Sequence, residues 1–220
     1  MSLVKFRERL LNDVKARTAP DTVYDLIYRG VNRFTLLMVL KCVTIDAVDR
    51  SFLEGSGVYR CEFLDQERLL RLSENPENEI DRDFLDEALR KGDECFAILD
   101  ADRLASYGWY STKPTMVNKD LELQFDERRV YMYNGFTHPK YRGQRLHAIG
   151  MTMALDHYLN HGYKGIVSWV EANNVRSLRS CYRMGYKDFG EIYIIKLFRK
   201  YLILRSKGCR DYKFKVSAIR

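Results

Sequence analysis

From Gly57 onward the elements run β-α-α-β-β-β-α-β-α-β, an order that restricts the fold more than any single motif. VYRCEFLD alternates as a strand, and QERLLRLSE makes a short helix that Pro76 interrupts. IDRDFLDEALRKG is a longer helix with Phe84, Leu85, Ala88 and Leu89 on one side and Gly92 at its stop. DECFAILDADRLASYGWYST reads as a hairpin turning near Ala101 and Asp102, and RVYMYNGFT adds a third strand. A helix to about His161, the buried strand GIVSWV, a helix from Asn174 to Met184 closed by Gly185, and the strand YKDFGEIYIIKLF complete the series. Hairpins followed by two βα units predict an α/β (α+β) fold with a mixed, partly parallel central sheet flanked by helices. Its parallel pair comprises the strands ending at Thr137 and Val170. Ligands favour the carboxyl ends of such strands, next to helix N-termini.

The residues before Gly57 read as a separate addition. Val4, Leu10, Leu11 and Val14 give a helical spacing over residues 3–16, and a second helix is expected from Asp21 to Tyr28. FTLLMVLKCVTI predicts a strand, and SFLEGSG a linker. The expected division is an N-terminal α/β extension over 1–56, packed on the core, and a main domain over 57–220 that ends in a basic segment. The longest apolar run, Phe34 to Leu40, is far short of the roughly 20 residues a bilayer span requires. The opening MSLVKFRERLLNDVK soon becomes charged, unlike a signal peptide. A soluble, cytoplasmic protein is expected. Five widely spaced cysteines without a CxxC pair fit free thiols in a reducing compartment, and the four histidines are not at metal-ligand spacing, so no metal is expected.

The net charge of +7 is unevenly spread. Nine Lys or Arg follow from Lys196 to the end against Asp211 alone, whereas Glu74 to Glu94 holds nine acids against three bases. A basic tail suits either a solvated face or an anionic partner.

Two stretches at the carboxyl end of the parallel pair carry chemistry. In NGFTHPKYRGQRLHA a strand ends at Thr137, Pro139 stops pairing, and Tyr141 to Gln144 turn into a helix. Free N–H groups and the helix dipole at such a start suit a phosphate, Gly143 allows close approach, and Arg142 and Arg145 add charge. An ordinary helix start is the plainer alternative. In VEANNVRSLRSCYRMGYKDFG, Asn174 and Ser177 have the spacing of a cap and its first turn, and Tyr182 lies two turns on. Alone, this is a capped helix with an amphipathic tyrosine.

Together, the strand end, the turn Arg142-Gly143, and the later N-x-x-S-x-x-x-x-Y-x-x-G-Y resemble the GNAT superfamily of acyl-CoA-dependent N-acetyltransferases over roughly Gly57 to Phe198. The resemblance implies a GNAT-like sheet and acetyl-CoA as cosubstrate. It implies that the Phe136 and Thr137 backbone pairs with pantetheine. Arg142, Gly143, Gln144, Arg145, Leu146 and His147 match the pyrophosphate loop, with Asn174 contacting pantetheine and Ser177 in the same motif. Tyr182 matches the residue that protonates the departing thiolate. This chain departs from R-x-x-G-x-G/A at the fourth and sixth positions, where it has Arg145 and His147.

The general base is expected among Asp126, Glu127 and Glu171, since VYMYNGF offers only Tyr131, Tyr133 and Asn134. The acids Glu77, Glu79 and Asp81, between the early helices, suggest a cationic acceptor. The leading expectation is direct transfer of an acetyl (acyl) group to a primary amine. Two others stay open: a non-catalytic GNAT-fold module that binds CoA or acyl-CoA, and a nucleic-acid binder through the basic C-terminal segment. A homodimer is compatible with either of the CoA readings.

Overall fold

LLMVLKCVTI carries apolar residues on both faces, which suits a strand covered on both sides. In the computed structural model, which describes residues 36–53, 58–197 and 200–219, it is β1 (Leu36–Ile45), inserted between two later strands of an eight-stranded sheet. The helices expected over 3–16 and 21–28 lie outside the described residues.

The order of elements after β1 follows the sequence expectation closely. β2 (Arg60–Phe63) leads to α1 (Gln66–Ser73), a 3-10 turn at Pro76–Asn78, and α2 (Arg82–Lys91). Hairpin β3 (Glu94–Asp100) and β4 (Arg103–Ser111) follows, with Ala101 at φ 52 in its turn. β5 (Thr115–Asn118) and β6 (Leu121–Gln124) come next, then β7 (Val130–Thr137), α3 (Leu146–Asn160), β8 (Ile166–Glu171), α4 (Val175–Arg183) and β9 (Lys187–Leu197). The C-terminal segment forms β10 (Lys200–Arg205), α5 (Lys207–Asp211) and β11 (Lys215–Ala218).

The large sheet runs β10-β9-β1-β8-β7-β4-β3-β2, and a small sheet runs β11-β6-β5. Among the described residues of this sheet only β7 and β8 are parallel; the other paired neighbours are antiparallel. This is the mixed α/β architecture expected, and β1 changes one part of it. The strand is a central member of the sheet rather than an appendage: Leu40, Cys42 and Val43 are fully buried, each side chain contributing roughly 1.5–3 kcal/mol if apolar. Its one interior charge, Lys41, pairs across the strands with Glu191. Of the segment expected over 1–56 as an extension packed on the core, the described strand Leu36–Ile45 is thus part of the central sheet.

The two faces of the sheet carry different layers. α3 and the end of α4 cover one face, with Met151, Ala154, Leu155, Tyr158, Met184 and Tyr186 packed on Val43, Phe96, Val130 and Ile166. α1 and α2 cover part of the other through Leu69, Leu85 and Ala88 over Ala97, Tyr107 and Trp109. The rest of that face is closed by the small sheet and α5, where Leu121, Leu123, Cys209 and Phe214 meet Leu40, Val167 and Ile192. Phe214 is fully buried, and Tyr212 stacks on Phe189 at 4.1 Å, so these aromatics of the basic segment are core residues. The three short strands β5, β6 and β11 went unread because four residues carry too little periodicity to distinguish from loop.

Candidate functional site: a cleft where two parallel strands part

β7 and β8 pair at only two positions, Val130 with Ile166 and Tyr131 with Val167. One further link, from Ser168 Oγ to the Met132 carbonyl at 2.9 Å, closes the junction. Beyond it the strands part. β4 still pairs with β7 as far as Thr137, but the ladder shifts between Tyr107 and Trp109, where Asn134 adopts φ 47. This bulge turns the last residues of β7 out of regular register beside the opening. Phe136 stays anchored: its ring packs on Tyr107, and its carbonyl accepts from Ser106 Oγ at 2.8 Å. Thr137 bonds Ser106 through its hydroxyl at 2.9 Å.

The turn after β7 is built for backbone exposure. Arg142 is extended and its Nε donates back to the Thr137 carbonyl at 3.3 Å, which holds the turn against the strand end. Gly143 has φ 88 and open space where a Cβ would stand. Arg145 is the N-cap of α3 in the left-handed region, φ 60, with no side-chain cap. Ile149 N–H makes the first regular helical bond, to the Arg145 carbonyl at 3.0 Å, so Leu146, His147 and Ala148 precede the helical ladder. The left-handed backbone explains why a glycine suits the fourth position; an arginine there carries a cost of about 1–2 kcal/mol. The sixth position is balanced differently. A Cβ on Gly135 would lie 2.7 Å from His147 Cε1, so the missing side chain in β7 makes the room that His147 fills. Burial holds the imidazole below its ordinary pKa, so it is neutral around pH 7.

A cleft of about 510 Å³ lies along these elements. It gathers Phe136, Thr137, Arg142, Gly143, Arg145 and Leu146 with His147 and Ser177, eight of the positions expected from the sequence. Four others are not in its lining. Gln144 accepts from the Tyr59 hydroxyl at 2.6 Å. Asn174 caps α4, its Oδ1 accepting from Ser177 N–H at 3.2 Å, as its spacing suggested. The Tyr182 hydroxyl donates to Asp188 at 2.9 Å on β9. With β1 and β8 between β9 and β7, that anchor is about 14 Å from the β7 edge at roughly 4.8 Å per strand. Burial and the Asp188 carboxylate push the phenol up to about 12, so it remains protonated.

The fourth, Glu171, ends β8 and pairs with Leu40 of β1. It shares the strand face of Val167 and Trp169, which look toward the small sheet. It thus stands at the mouth of the parting strands on the side away from α3 and α4. Among the described residues its carboxylate makes no hydrogen bond or ion pair, and burial raises its pKa. Asp126 is a different case. It lies before β7, at the strand's amino end, and is bound by Arg128 through three side-chain contacts of 2.6, 3.1 and 3.2 Å, which hold its pKa far down. It is placed and bonded as a structural carboxylate, and Glu127 shares its end of the strand.

Two groups, one lining the cleft and one on the opposite face of the sheet, are ones sequence reasoning missed. Arg176 and Ser180 line it from α4, a stripe readable only once that helix is known to face the turn. Asp93 accepts from the Tyr133 hydroxyl and pairs with Lys91 at 2.9 Å, a link across forty positions that no local pattern reveals. The acids between the early helices divide by task. Asp81 caps α2 through Phe84 N–H at 3.0 Å, while Glu77 meets His138 at 3.6 Å in a pocket of about 350 Å³.

A parted parallel pair beside an exposed helix N-terminus is the frame of this site, and one solved structure in particular shares the fold. A putative GNAT-family acetyltransferase from Novosphingobium aromaticivorans matches with TM-score 0.51 and 13% identity, over 71% of this chain and 62% of that one. A Drosophila protein matches at 0.49 and 14%, over 80% and 57%, and a GCN5-related N-acetyltransferase-like protein from Streptococcus suis at 0.49 and 13%, over 79% and 66%. The chain thus spans less than two thirds of the length of each of these proteins. No curated protein sequence matches it. The family model for the acetyltransferase (GNAT) family matches residues 61–186, more than half of the chain, and the chain belongs to that family. Among the described residues no helix is long and apolar enough to cross a membrane.

Proposed function

We propose that this protein is an N-acetyltransferase that moves an acetyl group from acetyl-CoA directly to a primary amine. The observation that carries the reading is the opening between β7 and β8, which leads straight to the arginine-flanked start of α3. The residues present fit such a cosubstrate: unladdered N–H groups at α3, Arg142 and Arg145 for a pyrophosphate, and the β7 edge at Phe136 and Thr137 for an amide-bearing arm. When bound, acetyl-CoA supplies an activated acyl carbon, and the C–N bond forms as the C–S bond breaks.

The remaining steps fall to the chain's own groups. Glu171 takes the proton lost by the incoming ammonium, a task its raised pKa suits. Backbone N–H groups at the bulge of β7 face the developing oxyanion. Tyr182, kept protonated, donates to the departing thiolate, for which its hydroxyl must leave Asp188. Glu77 favours a cationic acceptor.

That anchoring of Tyr182 also supports a second reading, a module that binds acetyl-CoA without turnover. Calorimetry with acetyl-CoA, followed by release of free CoA thiol with a panel of primary amines, separates the two. Binding with turnover supports the enzyme, binding without turnover the module, and absence of binding overturns both.

A further inference from the structure

Two of the five free cysteines share one space on the face of the sheet away from α3. Cys42 of β1 and Cys209 of α5 are both fully buried, in the cluster that the small sheet closes. Two glycines bring them together. Gly190 of β9 is the register partner of Cys42, and a Cβ on it would lie 2.6 Å from Cys209 Sγ. The Cys209 sulfur thus stands in the place of a side chain directly beside Cys42. Gly208 presses on the Phe189 carbonyl, where the register of β9 against β1 shifts and skips Phe189, so α5 lies with its backbone on the strand. Ser206 pins this approach: its N–H donates to the Glu191 carbonyl at 3.0 Å, and its Oγ accepts from Glu191 N–H at 2.9 Å.

The two thiols hydrogen-bond one another. That bond, aided by Ser206 Oγ at 3.6 Å and by Arg205, lowers the pKa of Cys209, while the same bond and burial raise that of Cys42. Cys209 is therefore the readier nucleophile and Cys42 its protonated partner. The other cysteines lie in other clusters, Cys61 and Cys181 on the α3 side and Cys95 beneath α2, and burial raises the pKa of each. Beside Cys209, Ser206 and Gly208 are only half-buried, so a shallow layer separates its sulfur from solvent.

We propose that Cys42 and Cys209 are a redox pair, which a hydroperoxide joins into a disulfide that staples α5 to the central strand β1. The Cys209 thiolate attacks the peroxide, its S–O bond forming as the O–O bond breaks, and water leaves from hydrogen peroxide. Cys42 then attacks the resulting sulfenic sulfur: the S–S bond forms, the S–O bond breaks, and the hydroxyl departs with the Cys42 proton as a second water. Two thiols are oxidised by two electrons and one peroxide is reduced. The link closes a loop of most of the chain, which constrains the unfolded state and stabilises the fold.

Peptide mapping by mass spectrometry under non-reducing conditions, on the folded full chain before and after hydrogen peroxide, tests this. Treatment is expected to yield one linked peptide pair that contains Cys42 and Cys209 and separates again with dithiothreitol. The oxidised protein should melt about 5–10 °C higher than the reduced one, and Cys209→Ser should show neither the link nor the shift. An unchanged map, a link from either residue to Cys61, Cys95 or Cys181, or Cys209 driven to the sulfinic acid without a link each overturns the pair. A Cys42–Cys209 link that leaves Tm unchanged overturns the staple. The outcome is independent of whether acetyl-CoA binds, so it fails or stands apart from the enzymatic reading.

Discussion

The two faces that meet at the parting strands are built on opposite plans. On the α3 and α4 side, the groups that line the cleft come from two short stretches, 135–147 and 176–180, and the turn and arginines are exposed. On the other side, Glu171, the Tyr133–Asp93 pair and the Glu77–His138 pair come from five positions spread over nearly a hundred residues of chain. The first plan is local: a helix start and a helix face suffice to hold an anion, whatever the rest of the chain does. The second is tertiary: a base or an acceptor pocket exists only after distant strands and helices have packed. Groups that recognise a common cosubstrate can thus be encoded in motifs, whereas groups that choose an acceptor need not be.

The largest expected effect tests whether chemistry belongs to the second face. Glu171→Gln should lower turnover with the amine panel by about 10²-fold or more, the usual scale for a general base, while acetyl-CoA affinity stays unchanged. The wild-type rate should fall as pH drops through the raised pKa of Glu171. The stability sign runs the other way. A carboxyl whose folded pKa is raised binds its proton more tightly when folded, so its contribution is full at low pH and lost as pH rises through that pKa. Glu171→Gln should therefore raise Tm at pH 7, with the gain vanishing toward pH 4. Unchanged turnover would remove Glu171 as the base and turn attention to Tyr133 and Asp93.

Next in size is the contact between β7 and α3. Gly135→Ala puts a Cβ 2.7 Å from His147 Cε1 and 3.0 Å from Met132 Cε, at a cost of roughly 1–3 kcal/mol by overpacking. The displaced imidazole should also narrow the cleft and weaken acetyl-CoA binding. Adding His147→Ala should restore most of the lost stability, measured by denaturant unfolding. Additive losses in the double variant would show that the two residues do not share one space.

The same contrast explains what the sequence made legible. The element order predicted the mixed sheet and its parallel pair, because long periodic segments such as IDRDFLDEALRKG and YKDFGEIYIIKLF announce themselves. The Arg142-Gly143 turn, the Asn174 cap and the Gly185 stop were readable for the same local reason, the last two seen as a bond to Ser177 and a φ of 91. The position of β1 was not. Its two apolar faces indicated burial without saying between which strands, since β-pairing partners are set by the whole sheet. Nor could spacing within α4 foretell that the Tyr182 hydroxyl is held by Asp188, six positions on but in another element.

Tyr182→Phe should cost less than the changes above, about tenfold in turnover. The reason lies in the leaving group: a thiol has a pKa near 8.5, so its thiolate departs from a tetrahedral carbon with little need of a proton. A loss of that size would show that the hydroxyl leaves Asp188 in the working enzyme and reaches the sulfur. No loss at all would leave Tyr182 as a surface tie between α4 and β9, and would weigh toward the binding module.

The smallest effect concerns the residue that departs most from its family's pattern. Arg145 stands in the left-handed region where glycine is at ease, and in exchange it lines the cleft. Arg145→Gly removes a backbone cost of about 1–2 kcal/mol. Against this, glycine's greater freedom in the unfolded chain costs roughly 0.5–1 kcal/mol, leaving a net gain near 0.5 kcal/mol. The same change removes one guanidinium from the anion site, so acetyl-CoA binding should weaken several-fold, and more so at low ionic strength, where an exposed charge is least screened. A variant that is slightly more stable yet binds more weakly would mean that this chain keeps a strained arginine for its charge. A variant that gains stability without losing affinity would mean that the backbone N–H groups of the turn hold the phosphate on their own.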